Sequence, residues 1–194
     1  MNLAAKSECT PEAFEQRYCR QWDPWHFRTS AYERARYEAI LNALPRNRYA
    51  FAFEPGCSIG ELTALLAPRC DQILATDISA TAVDRARQRC AIFQHVRIEC
   101  ADVRASVLAT PPDLIVLSEI AYYFDVHELA RLAVQLGEAL SAGGTLVAVH
   151  WLGDSADHVL HGDEAHEVLL RSLPLRHEAG RRDSGFRVDR WARE

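Results

Sequence analysis

The sequence predicts an α/β fold built on a mostly parallel, doubly wound sheet of seven strands that ends in an antiparallel hairpin. Two observations carry this prediction. From Tyr49 onward, short apolar runs alternate with helical patterns, which is typical of parallel strands joined by helices. Near the end of the chain, two strand-like runs instead flank the turn residues Asp183, Ser184 and Gly185, which predicts a hairpin.

Length and composition agree with such a fold. The 194 residues are 48% apolar and 25% charged, which suits one globular domain with a three-layer core. The net charge of −5 argues against a nucleic-acid partner. No run of about 18 apolar residues occurs, so no membrane span is expected. Residues 1–16 lack the apolar stretch of a signal peptide.

The cysteines indicate a reducing compartment. They are Cys9, Cys19, Cys57, Cys70, Cys90 and Cys100. No two of them form a C-x-x-C pair, the spacing typical of zinc sites and redox motifs. We expect reduced thiols, several of them in the core of a cytoplasmic protein that is a monomer or a weak homodimer.

Residues 1–45 are predicted to form two helices that act as a lid beside the sheet. Thr10 is suited to cap the first helix, because its hydroxyl can accept from a backbone N–H group. Residues 21–30 follow and are rich in aromatic side chains, among them Trp25. Two interpretations stay open: these rings plug one end of the core, or they cover a ligand.

The second helix is predicted to begin at a capping box of Ser30 and Glu33 and to end at Pro45. Arg36 lies among the apolar positions of this helix. Either it is a surface arginine lying along the helix, or its guanidinium holds a carboxylate from the inner face.

Residues 46–150 are predicted to form most of the sheet. Apolar runs predict strands at residues 49–53, 73–76, 96–100, 114–117 and 145–149. Residues 151–194 complete the single domain of residues 1–194 with a helix that opens at Asp163 and a hairpin of residues 175–180 and 186–191. The whole pattern predicts a Rossmann-like fold.

Acidic residues follow four of the predicted strands. They are Glu54, Asp77, Asp102 and Glu119. In an open α/β sheet, ligands bind outside the carboxyl ends of the strands, and these ends share one rim. The sequence therefore predicts a ligand site that the four acids line.

The turn after the first strand narrows the choice of ligand. It holds Cys57 between Gly56 and Gly60, so a ligand could approach its backbone closely. However, it lacks the G-x-G-x-x-G order of a dinucleotide site, and Glu54 at its entrance would repel phosphate. A cofactor that carries a nucleoside, an amine and a sulfonium suits an acidic rim better.

Each acid can be matched to one part of such a cofactor. Glu54 and the glycine turn can receive an ammonium group. Asp77, with Ile78 beside it, can accept both hydroxyls of a ribose. Asp102 can accept from an adenine amino group whose edge Val103 covers. These features predict that the cofactor is S-adenosylmethionine.

Two sets of motifs carry a family resemblance. The segments EPGCSIG, ATDIS and ADV, within residues 49–150, resemble the cofactor motifs of class I S-adenosylmethionine-dependent methyltransferases. A narrower set lies in Asp23-Pro24-Trp25, Ser30-x-Tyr32-Glu33-x-x-Arg36 and Ser118-Glu119-x-x-Tyr122-Tyr123. Through these, residues 22–150 are similar to the NodS family of nodulation methyltransferases. The resemblance implies that Trp25 and Arg36 close over the methionine end of the cofactor, with Arg36 near its carboxylate.

NodS-type enzymes methylate the free amine of a deacetylated chitooligosaccharide. The resemblance therefore implies N-methylation of an amino sugar or oligosaccharide amine as the activity. Residues after His150 depart from the NodS pattern, and substrate choice often lies there. O-methylation of a hydroxyl or carboxylate acceptor and a non-catalytic cofactor-binding role stay open as alternatives, whereas Glu54 and the glycine order disfavour an NAD-dependent oxidoreductase.

Transfer to an amine requires a neutral nucleophile, so a base near the methyl group would help. Glu119, at the end of the fourth strand, is the first choice for this base, with a contact to the cofactor or to a backbone turn as its alternative role. His150 is the second choice. Tyr122 and Tyr123 are candidates to line the acceptor pocket, and one of them is expected to belong to the core.

A metal site is not expected, although three histidines near Asp163 have suggestive spacing. They are His158, His161 and His166. A helix that starts at Gly162 or Asp163 would divide them between a loop and a helix. Methyl transfer from a sulfonium also needs no metal.

Overall fold

The computed structural model describes residues 9–106, 108–183 and 185–194. Two helices precede the sheet, α1 (Pro11–Arg20) and α2 (Ala31–Ala43). The remaining elements are β1 (Tyr49–Pro55), α3 (Glu61–Leu66), β2 (Cys70–Asp77), α4 (Ala80–Arg89), β3 (Val96–Cys100), β4 (Leu114–Ser118), α5 (Val126–Ala139), β5 (Thr145–Trp151), α6 (Gly162–Ser172), β6 (Arg176–Arg182) and β7 (Phe186–Ala192). Short 3-10 turns occur at Ala67–Arg69, Val103–Ala105 and Ala121–Tyr123.

The seven strands form one sheet in the order β3-β2-β1-β4-β5-β7-β6. Strands β1 to β5 pair in parallel, and β7 pairs antiparallel with both β5 and β6. The predicted fold class is therefore confirmed, including its antiparallel end. Ser184, in the predicted hairpin turn, lies outside the described residues. The division into residues 1–45, 46–150 and 151–194 stays a prediction.

Two elements begin earlier than their apolar patterns predict. β2 starts at Cys70 rather than residue 73, because Cys70 pairs with Tyr49 and the ladder continues through the polar positions that follow. α6 starts at Gly162, because the His161 side chain is its N-cap and accepts from the Asp163 N–H at 3.2 Å. Backbone pairing and capping decide these limits, and neither leaves an apolar signal in the sequence.

The sheet is packed on both faces, so its central strands are buried. All five residues of β4 are inaccessible or nearly so, which explains a continuous apolar run rather than an alternating one. One face packs against α2, α3 and α4 and contains the buried thiols Cys57, Cys70 and Cys90. The other packs against α5 and α6 and contains Trp191.

None of the helices formed by the described residues has the length and apolar character needed to cross a membrane.

The sheet order changes direction between β1 and β4, which lie side by side but are distant in sequence. At such a switch point, the loops after the two strands lead away from each other and leave a crevice at their carboxyl ends. In this chain those loops begin at Gly56 and Glu119.

Candidate functional site

A cleft of about 580 Å³ lies at the carboxyl ends of the parallel strands, beneath α1, α2 and the loop after β5. The predicted site residues that line it are Trp25, Arg36, Glu54, Gly56, Cys57, Asp77, Ile78, Asp102, Val103, Glu119, Tyr122 and Tyr123. Two predicted residues, Gly60 and His150, do not line it. We define Glu54, Asp77 and Asp102 as the acidic wall, and Phe14, Tyr122, Tyr123, Trp151 and His158 as the aromatic wall.

The glycine turn between β1 and α3 is fastened to β2 by its backbone. The N–H groups of Gly56 and Cys57 donate to the Thr76 carbonyl at 2.7 and 2.9 Å. Gly56 has a φ of +76°, and a Cβ atom built there would lie 2.3 Å from Cγ2 of Ile120. Only glycine fits this position, because the backbone conformation and the contact with Ile120 both exclude a side chain.

Gly60 has a different role from the one predicted. It is the N-cap of α3 with a φ of +82°, and a Cβ atom there would lie 3.0 Å from Cα of Ala86 in α4. Its lack of a side chain lets α3 pack closely against α4. Gly60 therefore supports the turn through the packing of α3 on α4, and it does not line the cleft.

Glu54 is an unusual member of the acidic wall. Its residue is 2% exposed, and Oε2 has no hydrogen-bond partner among the described residues. Burial away from water raises the pKa of Glu54 to about 8, and the Thr63 hydroxyl and the Arg36 guanidinium oppose that rise only in part. A buried carboxyl oxygen without a hydrogen-bond partner is unfavourable, and a bound ligand could supply the missing partner. A cationic group would be the most favourable partner.

Asp77 is held at the end of β2 by two backbone donors. Its Oδ2 accepts from Ser58 N–H of the glycine turn and its Oδ1 from Ser79 N–H, both at 2.9 Å. Burial raises the pKa of Asp77 to about 6, while these hydrogen bonds act in the opposite direction. Each carboxylate oxygen keeps a further lone pair, so Asp77 can still accept from a ligand that occupies the cleft beside Ile78.

Asp102 is already paired in this structure. Its carboxylate caps the 3-10 turn Val103–Ala105 and accepts from the backbone and guanidinium of Arg104. Burial acts to raise the pKa of Asp102, but the hydrogen bonds and charge of Arg104 outweigh it and bring that pKa below its usual range. Val103 is buried beside it. An adenine contact by Asp102 would have to share the carboxylate with Arg104.

Arg36 is 1% exposed, so the interpretation as a surface arginine is wrong. Its Nε donates to Glu33 at 3.0 Å and Nη1 to Ser118 Oγ at 2.6 Å, while Glu119 Oε1 lies 3.9 Å from Nη1. Phe27 and Tyr37 flank the guanidinium at 6.0 and 4.9 Å. The arginine is thus a fixed cation at the cleft, with N–H groups to spare for an anionic ligand group.

Glu119 follows β4 in the left-handed backbone region, with a φ of +60°. Its Oε1 accepts from Trp151 N–H at 2.7 Å and its Oε2 from the Tyr122 hydroxyl at 2.6 Å. The side chain therefore ties the ends of β4 and β5 together while it lines the cleft. The hydrogen bond from Trp151 N–H is a backbone contact, as in one predicted alternative, and the roles of base and cofactor contact stay predictions.

His150 is fully buried and lies outside the cleft, which excludes direct contact with a ligand there. Its Nε2 accepts from Ala121 N–H at 3.0 Å, and its Nδ1 lies 3.0 Å from Nε2 of His166. Nδ1 of His166 in turn lies 2.6 Å from Oδ2 of Asp189. The expectation of His150 as a second base is corrected: both of its nitrogens are used to brace the turn that carries Tyr122.

The three histidines whose spacing suggested a metal site lie in different environments, as a helix start between them predicted. His161 caps α6, His166 faces the interior, and His158 stays in the cleft. No group of three or more potential metal ligands occurs in the part of the chain that the structure describes.

Helix α1 contributes residues to the cleft that were not predicted from the sequence. Phe14 and Tyr18 of α1 line the cleft, and the Tyr18 hydroxyl donates to Ser58 Oγ of the glycine turn at 2.6 Å. Trp25 packs against Tyr18, with 5.5 Å between ring centroids, so this aromatic group both fills the end of the core and covers the cleft. Phe14 and Tyr18 are four residues apart, a spacing that predicts a buried helix face but not what that face covers.

The loop between β5 and α6 closes the other side. Asp157 accepts from Arg17 Nη1 of α1 at 2.6 Å, and His158 lines the cleft beside it. These residues come from opposite ends of the chain, and no local motif relates them.

Comparison with known proteins places this architecture in a family. The model of NodS, nodulation protein S, matches residues 12–158. Nodulation protein S from Bradyrhizobium diazoefficiens is 34% identical over 127 residues, which are 64% of this chain and 61% of that protein. The corresponding protein from Rhizobium tropici is also 34% identical, with 53% of its length covered. The chain thus spans less than two thirds of these curated relatives.

Solved structures agree with the sequence relatives. The N-methyltransferase NodS from Bradyrhizobium japonicum WM9, in complex with S-adenosylhomocysteine, has a TM-score of 0.82 and 23% identity, with 98% of both chains covered. A provisionally assigned methyltransferase from Pseudomonas syringae is 37% identical with a TM-score of 0.71, and the match covers 84% of this chain and all of that one (100%). Because the NodS model matches more than half of the chain, the resemblance seen in the sequence is confirmed and the chain belongs to the NodS family.

Proposed function

We propose that this chain is an S-adenosylmethionine-dependent methyltransferase that acts on a small-molecule amine, with an amino sugar or a deacetylated oligosaccharide as the favoured acceptor. The single observation that carries the proposal is the unpaired Oε2 of Glu54, buried at the switch point of the sheet. A cofactor with an ammonium group can form an ion pair with that oxygen once the carboxyl ionises, which a phosphate cannot do.

The rest of the acidic wall fits the same cofactor. Asp77 lines the cleft and keeps free lone pairs for ribose hydroxyls. Arg36 offers N–H groups to a carboxylate at the same end as Glu54. When bound, S-adenosylmethionine supplies an electrophilic methyl group on a sulfonium. The relatives support this cofactor, since the Bradyrhizobium japonicum structure is described as a complex with S-adenosylhomocysteine.

The chain's own residues would act mainly by holding and orienting the two reactants. Glu54, Asp77 and Arg36 would fix the cofactor, and the aromatic wall would receive the acceptor. Helices α1 and α2 would exclude water from the reacting groups, because together with the loop after β5 they cover the cleft. Orientation of this kind supplies a large part of the rate of a displacement reaction.

Nitrogen is proposed as the acceptor atom because of the chain's relatives in the NodS family. The Bradyrhizobium japonicum relative is named an N-methyltransferase. Within the cleft, the carboxylates and aromatic rings would attract a polar, positively charged or neutral amine rather than an anionic acceptor. The proposal also includes a cytoplasmic location and a monomer or weak homodimer.

One experiment tests the proposal in two steps. Calorimetry measures S-adenosylhomocysteine binding to the wild-type protein, and mass spectrometry then follows methyl transfer to chitooligosaccharides of glucosamine, simple amino sugars, simple amines and hydroxylated analogues. We expect binding, and a mass gain of one methylene on an amine. No binding refutes the methyltransferase assignment, whereas methylation of the hydroxylated compounds alone refutes the nitrogen acceptor.

A further inference from the structure

His158 is a cleft residue whose surroundings set it apart from the other histidines. It lies in the loop between β5 and α6, and its side chain is 8% exposed. The imidazole stacks on the Tyr122 ring at 3.7 Å with an interplanar angle of 19°. Tyr123 and Trp151 present their rings edge-on at 5.4 and 6.0 Å. Three rings therefore hold the imidazole in one plane against the cleft.

The two ring nitrogens of His158 have different environments. Nε2 lies 4.0 Å from Oδ1 of Asp157, close enough for electrostatic attraction but too far for a direct hydrogen bond. Nδ1 is buried and has no hydrogen-bond partner among the described residues. A buried nitrogen without a partner is unfavourable in the empty protein. Because the side chain lines the cleft, a small shift of the ring would present this nitrogen to a bound ligand, from which it could accept a proton.

The protonation state of the ring suits that use. Burial lowers the pKa of His158 below its usual value, although the nearby carboxylates of Asp157 and Glu119 act to raise it. The imidazole is therefore neutral at pH 7, and one nitrogen keeps a lone pair.

Glu119, the base expected from the sequence, is held in place by hydrogen bonds, although each of its oxygens keeps one lone pair. Each of its oxygens already accepts a short hydrogen bond, one from Trp151 N–H and one from the Tyr122 hydroxyl. Because Tyr122 stacks on His158, the hydrogen bond from Tyr122 to Glu119 also fixes the plane of the imidazole. The geometry gives Glu119 an orienting role and leaves His158 with an unused acceptor atom.

Building on the proposed function, we propose that His158 is the catalytic base that takes the proton from the acceptor amine. The nitrogen lone pair forms the new N–C bond to the methyl carbon. The C–S bond breaks, and its electron pair goes to sulfur, which becomes a neutral thioether. The proton lost by the amine goes to Nδ1 of His158, and Asp157 stabilises the resulting imidazolium.

Two substitutions separate this role from simple packing. His158→Phe keeps a ring stacked on Tyr122 but removes both nitrogens, whereas His158→Gln removes the stack. We expect His158→Phe to lower kcat about 100-fold at pH 7, within the usual contribution of a general base, with unchanged affinity for S-adenosylhomocysteine. The loss should shrink by up to tenfold per pH unit at higher pH, because solution hydroxide then supplies neutral amine. His127→Gln, at an exposed position of α5, is the control and should behave as wild type.

Several charged or titratable groups surround His158 and also influence the pH dependence of kcat. The groups that face His158 and titrate or carry charge are Asp157, Glu119, His161, Arg17, His150, Tyr122 and Tyr123. None of them is altered by the two substitutions. A difference between His158→Phe and wild type below pH 8 therefore reports the imidazole itself.

A second readout needs no acceptor. Nitrogen NMR of the histidine-labelled protein with S-adenosylhomocysteine at pH 7.5, assigned by the missing signal in His158→Phe, shows which ring nitrogen carries the proton. We expect Nδ1 without a proton. A protonated Nδ1, or a His158→Phe variant with wild-type kcat and pH profile, overturns the assignment. These outcomes differ from failure of the proposed function, which shows as absence of S-adenosylhomocysteine binding to the wild-type protein.

Discussion

The two walls of the cleft are held in place by different kinds of contact. The acidic wall depends on the backbone, since N–H groups of Ser58 and Ser79 donate to Asp77 within a short stretch of chain. The aromatic wall depends on side chains from distant segments, as when Arg17 contacts Asp157 across 140 residues. One wall is thus assembled by local folding, and the other forms only when the lid and the loop after β5 meet.

This difference suggests a division of labour. A wall fixed by the backbone can present polar groups to a cofactor with little rearrangement, which favours tight and specific binding. A wall made of rings on a lid and a loop can open to admit and release an acceptor. Substitutions in the first should alter cofactor affinity, and substitutions in the second should alter turnover and release.

The largest expected effect lies at the junction of the walls. Gly56→Ala places a methyl group against Ile120, the residue that leads into the aromatic wall, and also strains a positive φ. We expect the free energy of unfolding to fall by about 2–5 kcal/mol in a urea titration, from backbone strain plus overpacking. Gly143→Ala is the matched control, because Gly143 has a φ of +70° with nothing within 4 Å. Equal losses of unfolding free energy in the two variants would mean that the contact with Ile120 does not add to the cost of a side chain at residue 56.

A smaller effect is expected within the acidic wall. Asp77→Ala should weaken binding of S-adenosylhomocysteine by about 1–3 kcal/mol, or roughly 5- to 150-fold, because hydrogen bonds to a charged group are lost. Calorimetry measures the change. Asp71→Ala, at the exposed start of the same strand, should leave affinity unaltered. Unchanged affinity in Asp77→Ala would show that the ribose does not bind there.

Glu54 and the buried histidines behind the aromatic wall should respond to pH with opposite signs. The raised pKa of Glu54, about 8, means that the folded state holds a proton that the unfolded state has lost, so stability falls as pH rises toward 8. Buried His150 and His166 have lowered pKa values, so their contribution is lost as pH falls below about 6.5.

Urea unfolding of wild type and of Glu54→Gln separates the contribution of Glu54 to stability from that of the histidines. Between pH 6.5 and 8, wild type should lose about 1.5–2 kcal/mol and Glu54→Gln almost nothing. Below pH 6.5 the variant should lose stability more steeply than wild type, since Glu54 no longer opposes the histidines. Parallel curves over the whole range would contradict the assigned protonation of Glu54.

The smallest effect is expected at the contact that closes the aromatic wall. Arg17→Ala removes a partly exposed ion pair with Asp157, which is worth at most about 1 kcal/mol. We expect S-adenosylhomocysteine to dissociate about 2- to 5-fold faster in stopped-flow measurements. Arg20→Ala, at the end of the same helix, is the control. Identical rates in the two variants would mean that this contact does not hold the lid.

Much of the acidic wall could be predicted from the sequence, because each acid directly follows an apolar strand and the topology places strand ends together. Glu54 and Asp77 needed no knowledge of distant contacts. Asp102 was placed correctly in the cleft, but its pairing with Arg104 reflects side-chain geometry that spacing does not encode. Gly60 was placed in the turn but serves helix packing, because a glycine pattern does not distinguish a ligand from a neighbouring helix.

The aromatic wall could be predicted only in part. Tyr122 and Tyr123 follow a strand and were found for that reason. His158 and Asp157 lie in a loop after β5 whose position depends on contacts with α1, so their role could not be read locally. His150 lies within β5 near its end, and its side chain points away from the cleft toward His166. The alternation of side chains at a strand end, rather than the residue type, decided that outcome.

The most direct test of the central claim, that Glu54 receives the ammonium group of the cofactor, is a count of protons released on binding. Calorimetric titration of S-adenosylhomocysteine at pH 7, in buffers of different ionisation enthalpy, gives this count. Because the pKa of Glu54 is about 8 in the empty cleft, its carboxyl is mostly protonated at pH 7 and must ionise to pair with an ammonium. We predict that wild type releases about one proton and that Glu54→Gln binds more weakly and releases almost none. Equal proton release by the two proteins, or none by wild type, would contradict the account.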